Sequence, residues 1–274
     1  MRSARRLGAW SGFALDAVTC LDDHPRWSAP EVSSGHRMVL VRRGRFRRGS
    51  DGHTAVVDPT LAYLVIPGEE ERFAHPAGGD ECTALYLSPS LWRTLAGDDT
   101  RPARSTVYVD ARLELAHRRV LSAARAGDPA YELAEALLPL VSTTLSQVAG
   151  APTPATPRRS PGRSATIVEA AREAIATGHP AADGLVPLAE LLTVSPYQLS
   201  RAFTRELGVS LTHHRNRVRV SNALDRLEQG EASLATLATD LGFADQAHLT
   251  RTVRRYVGHT PKALRHLLTH PPHS

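Results

Sequence analysis

The sequence predicts an α+β chain of two domains, an antiparallel β-rich half followed by an all-helical half. Three observations carry this. Apolar residues in the first 110 positions fall in short strand-like runs, and from residue 111 onward they take helical spacing. Residues 151–163, Ala-Pro-Thr-Pro-Ala-Thr-Pro-Arg-Arg-Ser-Pro-Gly-Arg, cannot form a core and read as an extended linker. Beyond the linker, two segments repeat one order: short helix, tight turn, capped second helix.

Length and charge set the bounds. A chain of 274 residues with 42% hydrophobic residues can build two cores. The net charge of +5 is unevenly placed. Residues 1–150 carry 18 basic and 18 acidic side chains, residues 151–164 add Arg158, Arg159 and Arg163 with no acid, and residues 165–274 hold 12 basic against 10 acidic. The excess therefore sits in the linker and the C-terminal part, where a polyanion partner is served. Lys262 is the only lysine, which points to arginine-rich coding bias before it points to function. Two cysteines, Cys20 and Cys82, give no disulfide framework and fit a reducing compartment. No apolar run approaches the ~20 residues of a membrane span. No apolar stretch follows Arg2, Arg5 and Arg6 to make a signal peptide. A soluble, cytoplasmic protein is expected.

The β-rich half is read strand by strand. Phe13 to Thr19 alternates, Met38 to Val41 is a short apolar run, and Leu61 to Ile66 stops at Pro67-Gly68. Ser50-Asp51-Gly52 turns the chain into His53–Val57. Pro76 to Gly79 is expected to turn Arg72–His75 back onto Cys82–Leu87 as a hairpin. Close-spaced strands with no helix between them predict an antiparallel barrel or sandwich. Two amphipathic helices follow, Glu114–Ala126 and Tyr131–Val148. The second carries a stripe of Leu133, Leu137, Leu140, Val141 and Leu145 and starts from an Asp128-Pro129 cap. The stripe either covers the sheet or binds a second copy of the chain, and the reading adopted is dimerisation.

The helical half carries the function. In its first segment Leu188, Ala189, Leu191 and Leu192 form a short helix. Ser195, Pro196 and Gln198 then make a Ser-x-x-Gln capping box with proline at the first helical position. The next helix buries Leu199, Phe203 and Leu207 and ends at Gly208. Tyr197, Gln198, Ser200, Arg201, Thr204 and Arg205 are left outside. In the second segment Leu234, Leu237, Ala238 and Leu241 form the short helix, Gly242 turns, Phe243 enters the core and Asp245 caps. That second helix buries Leu249, Val253 and Tyr256 or Val257 and ends at Gly258. It exposes Gln246, His248, Thr250, Arg251 and Arg254. Arginine forks onto guanine and glutamine onto adenine in a major groove, and hydroxyls reach bases or phosphates, so these are the side chains such reading requires. Between the segments, residues 210–229 form one helix of about 30 Å, close to the ~34 Å between successive major-groove faces. Arg215, Arg217 and Arg219 on it are expected to touch phosphates.

On these residues the sequence resembles the AraC/XylS family of regulators. The match is strongest over Leu241-Gly-Phe-Ala-Asp-Gln-Ala-His-Leu-Thr-Arg251, Gly258-His-Thr-Pro261 and Arg265, and it covers Ala165 to about Leu268. The resemblance implies DNA contacts from Tyr197, Gln198, Ser200, Arg201 and Arg205 in the first unit. In the second it implies Gln246, His248, Thr250 and Arg251. Leu249 and Val253 stand where the family usually has phenylalanines, and both remain apolar. The resemblance further implies a cupin-like sensor barrel at 1–110 and a helical dimerisation segment at 111–149. After a linker at 150–164 it implies a DNA-binding domain with two helix-turn-helix units at 165–268, then a tail at 269–274. The expected partners are double-stranded promoter DNA, a small-molecule effector, RNA polymerase and a second copy, with no membrane and no cofactor. Gene activation is the expected outcome.

Weaker signals stand beside this reading. Cys20, His24, His75 and Cys82 make a chemically reasonable Cys₂His₂ zinc set across the expected hairpin. The plainer reading is two small buried thiols and two surface histidines. The His-x-His arrangement of enzymatic metal cupins is missing, and no phosphate loop, nucleophile elbow or paired-carboxylate motif is present, so no enzyme is expected. The rivals are a cupin-type metalloenzyme or a metal or thiol sensor fused to helices, and a protein-binding helical module. Arg42–Arg48 reads as a solvated turn, and His213, His214, His266, His270 and His273 read as solvated.

Overall fold

A computed structural model describes residues 2–97, 105–126, 129–149, 162–231 and 233–269. The chain divides into two compact units, Met1–Ser160 and Pro161–Ser274. Most of the expected linker, residues 150–161, and the last residues, 270–274, lie outside the described ones, as does the Asp128 cap.

The first unit begins with strands β1 (Arg2–Trp10), β2 (Phe13–Cys20), β3 (Glu31–Val32), β4 (His36–Arg43) and β5 (Phe46–Ser50). It continues through β6 (His53–Val57), β7 (Leu61–Val65), β8 (Glu70–Ala74) and β9 (Asp80–Leu87) to helix α1 (Pro89–Ala96). Strand β10 (Thr106–Tyr108) and helix α2 (Ala111–Ala126) follow, then a π-helical turn at Pro129–Leu133 and helix α3 (Ala134–Ala149). Six strands form one sheet in the order β1-β2-β9-β4-β7-β10, and four form a second in the order β3-β8-β5-β6. Every pairing is antiparallel. The β5–β6 turn is two residues long, with Asp51 and Gly52 both at positive φ (47° and 77°), the conformation that matches strand twist in a tight hairpin.

Alternation decides what the six-stranded sheet buries. Leu15, Met38, Leu40, Ala62, Leu64, Leu85 and Leu87 pack with Trp92 of α1, Leu113 and Val120 of α2, and Leu137, Leu140 and Val141 of α3. Val18, Val39, Tyr63, Cys82 and Ala84, on the opposite face, line a cavity with Phe46 and Phe73 of the second sheet. Strand β7 is buried at all five positions because both of its faces are covered.

Three expectations are corrected here. Helix α1 interrupts the strands. Ser88 accepts a hydrogen bond from the Leu91 amide and Pro89 opens the helix, a start signal the strand reading passed over. Strands β8 and β9 do not form a hairpin: β8 pairs with β3 and β5, whereas β9 pairs with β2 and β4. The turn at 76–79 carries the chain from one sheet to the other. The stripe of Leu133, Leu137, Leu140, Val141 and Leu145 is buried in the unit's own core, so among the described residues the large apolar side chains left exposed on this segment are Tyr131 and Leu138.

The second unit is helical. It comprises α4 (Arg163–Ala176), a 3₁₀ turn at Pro180–Asp183, α5 (Leu185–Leu191), α6 (Pro196–Leu207), α7 (Leu211–Glu228), α8 (Leu234–Asp240), α9 (Gln246–Val257) and α10 (Pro261–Thr269). Val168, Ala171, Leu188, Leu199, Phe203 and Leu211 pack around the first helix pair. Leu224, Leu227, Leu237, Leu249, Val253 and Leu264 are fully buried around the second. Among the described residues no helix is long and apolar enough to cross a membrane.

Candidate nucleic-acid interface and a cavity in the β-rich unit

The two helix pairs, α5–α6 and α8–α9, are built on one backbone plan. The Leu192 and Leu241 amides close the short helices onto Leu188 and Leu237, and the Val194 and Phe243 amides reach back to the Ala189 and Ala238 carbonyls. Between them Thr193 and Gly242 take left-handed conformations, with φ of 52° and 68°. This is the turn that ends a helix and satisfies its last carbonyls. Helix α6 then starts from Ser195, whose hydroxyl accepts from the Gln198 amide while the Gln198 side chain accepts from the Ser195 amide. Helix α9 starts from Asp245, which accepts from the His248 amide at 2.6 Å. Both end at glycines in the left-handed conformation, Gly208 and Gly258.

Counting from these caps puts Leu199 level with Leu249 and Phe203 level with Val253, and all four are fully buried. Arg201 is then level with Arg251, Thr204 with Arg254 and Arg205 with Arg255, and all six are exposed. Tyr197, Gln198 and Gln246 are exposed, and Ser200, His248 and Thr250 half-buried. The expected site residues thus stand on the outer faces of α6 and α9. Their present partners differ. Arg201 donates to the Tyr197 hydroxyl at 3.2 Å and lies 5.4 Å from that ring. Arg205 bonds Ser164 and approaches Glu206 at 3.4 Å. Gln198 is held in its cap, and His248 accepts from the Ala244 amide at 3.3 Å and packs edge-on against Phe243. Gln246, Arg251, Arg254 and Arg255 have no side-chain partner among the described residues. Arg254 and Arg255 extend the basic face beyond the expected set. The signal for Arg255 was its place one turn after Arg251.

The bridging helix α7 corrects another expectation. Its eighteen residues give a length of about 27 Å. Arg217 is 1% exposed and cannot meet a phosphate. Arg215 bonds Asp183 at 2.8 Å. Arg219 donates to the Leu241 carbonyl at 2.8 Å with its guanidinium 3.9 Å from the Phe243 ring, and burial lowers its pKa. These arginines fasten α7 to the 3₁₀ turn before α5 and to the turn before α9. His214, expected in solvent, is buried against Phe203 with ring centroids 5.1 Å apart.

In the first unit Arg48, expected in a solvated turn, is 3% exposed. It binds Glu69 and Glu71, each at 2.7 Å, with Arg37 also on Glu71 and Ser50 on Glu69. The cavity beside this network has a volume of about 130 Å³ and takes in Cys20, His24, His75 and Cys82 together with Asp22 and Asp80. Cys20, His75 and Asp80 bring one donor atom each within 4.8 Å of one another, and so do Asp22, His24 and His75. The expected set is therefore gathered, but not across a hairpin and not with Cys82 in either trio. The Cys82 thiol donates instead to Asp80 Oδ2 at 3.0 Å. Asp80 and Asp22 went unnoticed in the sequence, although each lies two residues from a cysteine. Burial pushes the Cys20 and Cys82 thiols and the Asp80 carboxyl above their usual ranges.

Comparison with known proteins agrees with the helical geometry. Residues 188–266 match the helix-turn-helix domain family. The chain is 32% identical over 79 residues to the HTH-type transcriptional activator RhaS of Pectobacterium carotovorum, covering 29% of this chain and 28% of that one. It is 30% identical over 81 residues to the arabinose operon regulatory protein of Escherichia coli, covering 30% of this chain and 28% of that one. Among solved structures, the C-terminal domain of AraT, a response regulator from Geobacillus stearothermophilus, is 30% identical. It covers 39% of this chain and 88% of its own length, at a TM-score of 0.36. The chain thus matches well under a third of the two whole regulators.

Proposed function

We propose that the chain, similar through its helical unit to AraC-type regulators, is a sequence-specific, double-stranded DNA-binding regulator of that family, controlled by an effector in its β-rich unit. The pairs α5–α6 and α8–α9 act as two helix-turn-helix units, with α6 and α9 entering successive major grooves. The observation that carries this is the equivalence of Arg201 and Arg251. Two helices of one plan each expose an arginine at the same distance from the cap, on a face otherwise made of polar side chains. A guanidinium placed so can fork onto a guanine edge, and a 27 Å strut between the pairs suits neighbouring grooves.

The β-rich unit serves as a cupin-like effector barrel, supported by its two antiparallel sheets and the cavity between them. Exposed Tyr131 and Leu138 support pairing of two copies through the α2–α3 segment, and gene activation through RNA polymerase completes the reading. A mobility-shift assay over a salt series tests DNA binding. Affinity is expected to fall linearly in log–log form as salt rises. Arg201→Ala and Arg251→Ala are each expected to cost about 1–3 kcal/mol on the cognate site and to relax preference at one base pair. Parent-like binding of every sequence by both variants would remove the site assignment.

A further inference from the structure

We propose that the cavity of the β-rich unit is a binding site for a thiophilic divalent metal ion of the zinc class, held by Cys20, His75 and Asp80. The three residues come from the end of β2, the turn after β8 and the start of β9, and their donor atoms converge within 4.8 Å. Sulfur, imidazole nitrogen and carboxylate oxygen together suit Zn²⁺, whose bonds of about 2.0–2.3 Å bring ligands into this range. His75 Nε2 and Asp80 Oδ1 pair directly at 3.0 Å, a contact that an entering cation would replace.

The backbone is shaped to bring these ends together. A Cβ on Gly79 would stand 2.2 Å from the Cys20 carbonyl oxygen, and one on Gly44 would stand 2.4 Å from the Gly79 carbonyl oxygen. Only glycines allow β4, β9 and the end of β2 to close here.

Hydrogen bonding points the same way. His75 and Asp80 are buried and pair through Nε2 and Oδ1, whereas His75 Nδ1 has no hydrogen-bond partner, which is costly for a buried polar atom. His24 stands beside them, its ring centroid 6.1 Å from that of His75, and the His75 amide donates to the His24 carbonyl at 2.9 Å. His24 Nδ1 lies 2.7 Å from the Arg26 carbonyl. A carbonyl only accepts, so Nδ1 carries the proton and Nε2 keeps a free lone pair. That is the second-sphere arrangement that readies a histidine for a metal. His24 belongs with Asp22 to a second trio that shares His75 with the first. Ligation by Cys20 as a thiolate releases its thiol proton to solvent as the ion enters.

As the effector of a DNA-binding regulator the ion rests on the function proposed above, whereas its binding does not. The test titrates full-length, chelator-treated protein with Zn²⁺ against a chromophoric competitor and records the Co²⁺ spectrum. One ion per chain is expected, with a sulfur-to-cobalt charge-transfer band. Cys20→Ser should abolish the band, and Cys20→Ser and His75→Gln should each weaken Zn²⁺ binding by more than about 100-fold. Cys82→Ala, which removes the hydrogen bond to Asp80, should weaken it by about 10-fold. Circular dichroism checks the fold of each variant. The unsubstituted chain decides the matter even if a variant does not fold, since a Co²⁺ complex without a sulfur band overturns the proposal. So does Zn²⁺ binding that neither variant changes, which would place the ion elsewhere, or no stoichiometric binding at all. Mobility shifts with and without Zn²⁺ separate the two readings. DNA binding by a chain that takes up no ion defeats the metal site alone, and an ion-loaded chain that ignores DNA defeats the regulator alone.

Discussion

The helix pairs α5–α6 and α8–α9 align position by position from their caps, Ser195 and Asp245, yet they are filled and dressed differently. The first buries Phe203 where the second buries Val253, and turns through Thr193 where the second turns through Gly242. Its outward side chains are engaged: Gln198 in the cap, Arg201 on Tyr197, Arg205 on Ser164. The second pair presents Gln246, Arg251, Arg254 and Arg255 without partners among the described residues. A shared backbone plan thus supports one pre-arranged face and one open, more basic face. The buried positions fix where the helix lies, and the outer ones are free to diverge because no packing constrains them.

This contrast can be broken or sharpened by substitution. The largest effect is expected in the core. Phe203→Ala should lose about 3–5 kcal/mol of unfolding free energy, read by urea denaturation. The reverse change of size, Val253→Phe, should overpack the second pair at a cost of about 1–3 kcal/mol. A neutral Val253→Phe would mean that the second pair has room to spare and that the two cores are interchangeable.

Next come the arginines at equivalent depth. Arg251→Ala should lose more cognate affinity than Arg201→Ala, because Arg201 must first leave Tyr197, an exposed contact of about 0.5–1 kcal/mol. Tyr197→Phe, which keeps the ring and removes the hydroxyl, should narrow that gap in titrations at fixed salt. An unchanged gap between the two losses in the parent and the Tyr197→Phe chain would show that the Tyr197 hydroxyl has no bearing on binding.

The turns should differ by less. Thr193 carries a Cβ in a left-handed conformation, so Thr193→Gly is expected to raise stability by about 1 kcal/mol and Gly242→Thr to lower it by about 1–2 kcal/mol. A Cβ at Gly242 would meet only Arg219, at 3.7 Å, so backbone conformation rather than space sets the cost. The smallest effect should come from the open rim. Arg254→Ala should weaken binding evenly across sequences and reduce the salt slope by about 1, and Thr204→Arg should raise the slope by a similar amount. A change in sequence preference from either would make those positions readers of bases.

Much of this was legible in the sequence because it is local. A cap, a proline at the first helical position, a left-handed glycine and a period of 3.6 residues all act within one or two turns, so Ser195, Pro196, Gln198, Gly208, Asp245 and Gly258 declared themselves. The same local signal stood at Ser88-Pro89 and was overridden by the surrounding strand pattern. Side chains whose state depends on distant partners were not legible. Arg48 and Arg217 look like solvated cations in the sequence, and both are buried.

By itself the sequence determined the two units, the repeated helix plan and the identity of the outward arginines. These follow from short-range backbone preferences and from the alternation of apolar with polar residues. Tertiary structure decided the rest. It placed β8 and β9 in different sheets, turned the α7 arginines into fastenings and drew Cys20, His75 and Asp80 to one point. Each of those outcomes depends on strand pairing and close packing between segments far apart in the chain, and no local preference encodes which distant surface a side chain will meet.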